Sequence, residues 1–159
     1  MDLILWRHAD AGVAGAGPEL DRPLSEDGIK QAKQAAKWLK KHLPDTVQIL
    51  VSPALRCQDT AKALTDKFET CEELAPDGTV AKLLLVAGWN SAAGASKTKS
   101  VLICGHQPTL GKTAALLVCK EQQDWHVRKG AIWWITTRDD DKTGKSEVVI
   151  QAVVRPKDV

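Results

Sequence analysis

Near the N-terminus four bulky apolar residues in a row, Leu3-Ile4-Leu5-Trp6, lead straight into Arg7-His8. An apolar run of this length reads as a buried strand, and the carboxyl end of such a strand is where open α/β sheets bind their ligands. Arg7 and His8 therefore stand at a working position. Imidazole can serve as nucleophile or base near neutral pH, and a guanidinium offers a planar fork suited to phosphate or carboxylate. The pair suggests phosphoryl chemistry, set against the plainer reading of a strand that ends in two polar residues.

The rest of the chain alternates helical and strand-like segments. A small, flexible stretch from Ala11 to Gly17 runs into a loop, Pro18-Glu19-Leu20-Asp21-Arg22-Pro23-Leu24. Ser25 then has the character of an N-cap, with Glu26 and Asp27 in the first turn. Ile29, Ala32, Ala36, Leu39 and Leu43 recur at helical spacing, which predicts an amphipathic helix ending near His42. Val47–Val51 is the second expected strand. Ser52-Pro53 after it reads as a cap followed by proline at the first helical position, opening a helix with the stripe Cys57, Ala61, Leu64 and Phe68. Arg56 falls in the first turn of that helix, where free amides and the helix dipole favour an anion.

Residues 70–77 suggest a short edge strand and a turn. Val80, Leu83, Leu84 and Ala87 predict a third helix closed by Gly88 or Asn90, followed by a polar loop from Ser91 to Lys99. Ser100–Cys104 is a further buried strand, and it ends in Gly105-His106-Gln107-Pro108 before a helical run through Leu110, Ala114, Leu117 and Val118. Parallel strands joined by helices point their carboxyl ends the same way, so His8, His106 and Arg56 are expected at one edge of the sheet. Residues 131–137 and 147–154, flanking the Gly-containing loop Arg138 to Ser146, read as a β-hairpin at one side.

At 159 residues the chain has the length of one domain, 1–159, with room for a sizeable core. Its net charge of +2, with basic and acidic residues intermixed, gives no reason to expect nucleic acid. No apolar stretch is long enough to span a bilayer, and the basic-then-apolar pattern of a signal peptide is missing, so a cytoplasmic location is expected. Cys57, Cys71, Cys104 and Cys119 show neither zinc-finger nor Cys-x-x-Cys spacing and read as reduced, structural thiols, each in or beside an apolar segment. Trp6, Trp38, Trp133 and Trp134 are expected to pack in the core or along its edge, whereas Trp125, Arg128 and Lys129 are the better candidates for partner contact. Asp139-Asp140-Asp141 reads as a solvated turn rather than a metal site.

Four motifs together, Arg7-His8, Asp21-Arg22-Pro23-Leu24-Ser25-x-x-Gly28, Val51-Ser52-Pro53-x-x-Arg56-x-x-x-Thr60 and Gly105-His106-Gln107-Pro108, resemble the histidine phosphatase superfamily. The short length and the opening Arg-His-x-Asp-Ala resemble its SixA-type phosphohistidine phosphatases in particular. The resemblance implies a three-layer α/β/α sandwich with a mixed, mostly parallel central sheet. It also implies a covalent mechanism in which His8 attacks phosphorus, with Arg7, Arg22, Arg56 and His106 on the phosphoryl oxygens. Arg7 and Arg56 are expected to keep His8 neutral, and no metal or cofactor is called for where guanidinium groups carry the charge.

One departure is Ala9, where the family usually has glycine. A general acid is the other open element: Glu73 or Asp77 stands in roughly the right part of the chain, yet SixA-like members lack a clear equivalent. Asp10 is placed either to orient His8 or a water, or to make a loop contact. A phosphohistidine leaving group can depart neutral without a proton from the enzyme, whereas an alkoxide cannot. The expected activity is hydrolysis of phosphohistidine on a protein partner such as a histidine phosphotransfer domain. The alternatives are a phosphatase of small phosphate esters or sugar phosphates, and a non-catalytic phosphate-binding protein.

Overall fold

The structure is a computed structural model that describes residues 1–13, 15–89 and 99–159. Its frame is one six-stranded sheet in the order β3-β2-β4-β1-β5-β6. The strands are β1 (Asp2–Arg7), β2 (Gln48–Val51), β3 (Glu69–Thr70), β4 (Ser100–Gly105), β5 (Ile132–Asp139) and β6 (Ser146–Val154). β1 pairs in parallel with β4, β4 with β2, and β2 with β3, while β5 and β6 form the antiparallel hairpin against the other side of β1. Among the described residues four α-helices cover the faces: α1 (Glu26–His42), α2 (Leu55–Lys62), α3 (Val80–Ala87) and α4 (Thr109–Cys119). This is the three-layer α/β/α arrangement with a mixed, mostly parallel sheet. Among the described residues no helix is long and apolar enough to cross a membrane.

Strand alternation sorts the core into two layers. Leu3 and Leu5 of β1, with Val101 and Ile103 of β4, meet Leu83, Ala87, Leu110, Ala114 and Leu117 from α3 and α4. Ile4 and Trp6, with Leu102 and Ile132, meet Ala35, Ala36 and Leu39 of α1 on the opposite face. Both faces of β1 are therefore dry, which accounts for its unbroken apolar run; Trp6 is fully buried, and its indole N–H donates to the Gly130 carbonyl at 3.1 Å. A smaller cluster of Val51, Cys57, Ala61 and Cys104 seats α2.

Ser25 caps α1 by accepting from the Gly28 amide, and Gly88 at φ 65° closes α3. Asn90 and most of the Ser91 to Lys99 loop lie outside the described residues. Local readings needed correction in several places. Ser52 does not cap α2, which starts at Leu55 after Ala54, and that helix ends at Lys62, short of Leu64 and Phe68. The buried stripe of α1 takes in Gly28, and Ile29 is 45% exposed, because the loop after β1 comes against the helix at Gly28. Of the cysteines, Cys57 and Cys104 are buried, Cys71 is intermediate and Cys119 is exposed, since α4 ends there at the surface. Trp125 packs toward the core, its ring centroid 5.9 Å from that of Trp133, whereas Arg128 is exposed and Lys129, also exposed, is paired with Asp10. Asp140 accepts from the Lys142 amide and the Thr143 hydroxyl, which makes the acidic run a hairpin turn.

Candidate active site

β1 and β4 are paired in register from Asp2 with Ser100 to Arg7 with Gly105, so the next residues, His8 and His106, leave the sheet side by side. Their ring centroids are 5.2 Å apart, and both are nearly buried, 8% and 5% exposed. The His8 Nδ1–H donates to the Ala9 carbonyl at 2.7 Å. A carbonyl can only accept, so Nδ1 carries the proton and Nε2 presents the lone pair. His106 Nε2 lies 2.7 Å from the Ser52 hydroxyl and 3.5 Å from Cys57 Sγ. Ser52 also accepts from the Ala54 amide, so the turn after β2 orients the second histidine. The sequence pattern gave no hint of this partnership, because a serine before proline carries the same signal whether it caps a helix or serves a neighbour.

The α2 motif is tied to the same point. Thr60 Oγ1 accepts from the Ala9 amide at 3.0 Å and donates to the Arg56 carbonyl at 2.7 Å. This links the loop after β1 to the helix that carries Arg56, which is 4% exposed. Ala9 is fully buried, and its backbone stays outside the left-handed region; among the described residues the only non-glycine with positive φ is Lys120. The methyl group in place of the usual glycine therefore meets no backbone strain.

Four buried side-chain polar atoms lack a hydrogen-bond partner among the described residues, and three of them are the Nε atoms of Arg7, Arg22 and Arg56. Such donors cost about 1–3 kcal/mol each when left unmet, so their concentration in three of the expected phosphate ligands marks a site built for an anion. Other atoms of these guanidinium groups are engaged. Arg7 Nη1 donates to the Val127 carbonyl at 2.8 Å, Arg22 Nη1 to Gly12 at 2.9 Å, and Arg56 Nη1 to Glu19 at 3.0 Å. The Glu19 carboxylate sits 2.7 Å from Arg22 Nη2 and 3.5 Å from Arg56 Nη1, joining the two arginines. The hydrogen bond from Arg22 holds the Glu19 carboxyl below the usual range, so it is ionised at neutral pH and is no proton donor.

The other carboxylates take different places. Asp10 receives Lys129 Nζ and the Ser25 hydroxyl, each at 2.6 Å, and is lowered to about 2 chiefly by the Lys129 bond; it makes a loop contact. Glu73 lies exposed in a short 3-10 helix, Glu72–Leu74, and among the described residues neither a hydrogen bond nor an ion pair joins it to His8 or His106. Asp77 is likewise exposed.

Burial lowers the His8 pKa to about 4, opposed by the Ala9 carbonyl and reinforced by Arg56, Arg7 and Arg22. Burial also lowers His106, to about 3, with His8 and the same arginines adding to it. Desolvation therefore outranks the arginines that the sequence reading put first. Both rings are neutral at pH 7. Unfolded histidine titrates near 6.5, so these rings carry no protonation penalty above that pH, and stability falls as the pH drops below it toward 4. With two such groups the slope approaches about 2.7 kcal/mol per pH unit near pH 5. Denaturant unfolding at a series of pH values checks this, and a flat profile between pH 6.5 and 4 would contradict it.

Comparison with known proteins agrees with this geometry. A family model described as histidine phosphatase superfamily (branch 1) matches residues 3–77, a span that holds Arg7, His8, Arg22 and Arg56. The phosphohistidine phosphatase SixA of Escherichia coli (strain K12) is 32% identical over 123 residues, covering 74% of each chain. A SixA homolog of Haemophilus influenzae is 33% identical over 133 residues, 76% of this chain and 79% of its own. The solved structure of a protein histidine phosphatase SixA complexed with tungstate superposes with a TM-score of 0.75 at 27% identity, covering 99% of both chains. With a relative above 30% identity aligned over about three quarters of its length, and a paired-histidine site at the carboxyl edge of the sheet, this chain belongs to the histidine phosphatase superfamily.

Proposed function

We propose that the chain, as a single histidine phosphatase domain spanning residues 1–159, hydrolyses phosphohistidine on a protein, with His8 as nucleophile. One observation carries the reading: a neutral imidazole whose Nδ1–H is fixed on the Ala9 carbonyl, leaving Nε2 with its lone pair. Nε2 attacks phosphorus, and the phosphorus–nitrogen bond to the substrate imidazole breaks with its electron pair passing to that nitrogen. Positive charge that develops on the His8 ring is met by the Ala9 carbonyl at 2.7 Å. Water then attacks the phosphoryl group on Nε2, releasing inorganic phosphate and freeing His8. Arg7, Arg22, Arg56 and His106 hold the phosphoryl oxygens in both steps. Preorganised charge of this kind supplies most of the acceleration in phosphoryl transfer.

The substrate class follows from the proton inventory. A phosphohistidine protonated on its far nitrogen releases a neutral imidazole, whereas an ester must be given a proton as its oxygen departs. Glu19, the carboxylate nearest the paired arginines, is ionised, and Glu73 has no bond to either histidine. The relatives named as phosphohistidine phosphatases support the same choice, and tungstate, held by one of them, is a tetrahedral oxyanion like phosphate. A histidine phosphotransfer domain in the cytoplasm is the partner this reading favours. The test compares phosphate release from a phosphohistidine-bearing protein and from an aryl phosphate. Turnover of the protein at least about a hundredfold faster, the usual worth of a general acid, is expected. Equal or faster turnover of the ester would move the assignment to small phosphate esters and make Glu73 the next residue to examine.

A further inference from the structure

A groove of about 470 Å³ takes Arg7, the residue before His8, into its wall, and its lining is strongly one-sided in charge. Arg7, Arg128, Lys129, Arg155 and Lys157 contribute to it, and no carboxylate does. The chain as a whole carries 22 basic and 20 acidic residues, so this concentration is a matter of placement rather than composition. Two of the five cations are compensated from outside the groove. Lys129 meets Asp10 at 2.6 Å, and Arg155 meets Asp158 at 2.6 Å. Arg128 and Lys157 are exposed and take part in no ion pair among the described residues, although Lys157 lies within the field of Asp158.

The groove is fixed in position relative to His8. The Gly130 amide donates to both the Arg7 and His8 carbonyls at 3.1 Å, and the Val127 carbonyl holds Arg7 Nη1. Residues 127–130 are thus laced to the end of β1 that carries the nucleophile. Gly130 takes φ +72°, and Pro156 and Gln31 crowd the place a Cβ would occupy, so a short 3-10 helix after β6, Pro156–Asp158, and α1 converge on the same segment. Arg7 belongs to the catalytic edge and to the groove at once.

We infer that this groove seats a carboxylate-rich surface of the phosphorylated protein, next to its phosphohistidine. The inference rests on the phosphohistidine reading above and assigns Arg128 and Lys157 to substrate docking, apart from the chemistry. The open, cationic wall suits acidic side chains that flank the phosphohistidine on its own protein. Exposed charges of this kind act on encounter and on salt dependence more than on the chemical step.

The probes are two phosphohistidine peptides, one flanked by glutamates and the other by glutamines in the same positions. With wild type, kcat/KM for the glutamate peptide is expected to be about fivefold higher, and the advantage to shrink as salt is raised. In the R128A/K157A double variant the advantage disappears, while kcat on the glutamine peptide is unchanged. Equal kcat/KM for the two peptides with wild type would overturn the docking inference while leaving the phosphatase reading intact. So would a double variant that slows both peptides alike. Failure of wild type to release phosphate from either peptide would overturn the phosphohistidine reading itself, and this inference with it.

Discussion

His8→Ala is expected to lower phosphate release from a phosphohistidine protein by about ten-thousandfold or more, the usual cost of deleting a covalent nucleophile. The size follows from the geometry around Nε2. His106 is only 5.2 Å away ring to ring, but its Nε2 is already engaged by Ser52. With that nitrogen occupied, it is no ready replacement for His8. The three arginines remain in the variant, so binding of phosphate or vanadate is expected to survive within a small factor while turnover is lost. The protein should stay folded, because removing a buried imidazole that resists protonation takes away a group that destabilises the native state at acid pH. Steady-state kinetics with parallel titration of the oxyanion separate the two effects. Turnover within tenfold of wild type would show that another group attacks phosphorus.

Gly28→Ala is the second large effect, on stability. A Cβ at this position would lie 1.9 Å from the Asp10 carbonyl oxygen and 2.9 Å from its carbon. Both neighbours are backbone, and the Ser25 amide donates to the same oxygen at 2.9 Å, so the loop cannot yield without breaking the join between α1 and the segment after His8. In a helix free of such contacts alanine would be favoured over glycine by about 1 kcal/mol. Here the overlap is expected to reverse the sign and to cost about 3 kcal/mol, the upper range for overpacking. Thermal unfolding should fall by about 10 °C for a chain of this size. A rise in Tm would mean that α1 does not dock on the Asp10 loop at Gly28. Because the same loop carries His8, Ala9 and Asp10, lower activity at temperatures where the variant is still folded is a further expected result.

The parts of the fold most legible in the sequence are those where one physical requirement acts alone. A strand dry on both faces must be apolar throughout, which makes Leu3–Trp6 and Val101–Cys104 visible, and the polar residues that follow them then mark the working edge. The register of β1 with β4 adds what sequence cannot, that the two histidines leave the sheet at the same level. Ser52 was misread because its signal is local and its partner is 54 residues away. Ile29 was misread because periodicity counts apolar residues, while the closest approach of α1 to its neighbour requires the absence of a side chain at Gly28. Glu19 had no pattern to announce it. Its importance lies in bridging Arg22 and Arg56, which come from different elements. Trp125 reads as a candidate for partner contact because it stands near a loop, yet its ring packs against Trp133.

The most direct measurement is rapid-quench mass spectrometry of the enzyme mixed with a phosphohistidine protein. A transient enzyme species heavier by one phosphoryl group, labile in acid and stable in base, mapping to His8 and missing from His8→Ala, is the expected result. Steady turnover with no such species at any time, or a phosphoryl group mapped to His106 or to another residue, would contradict the account.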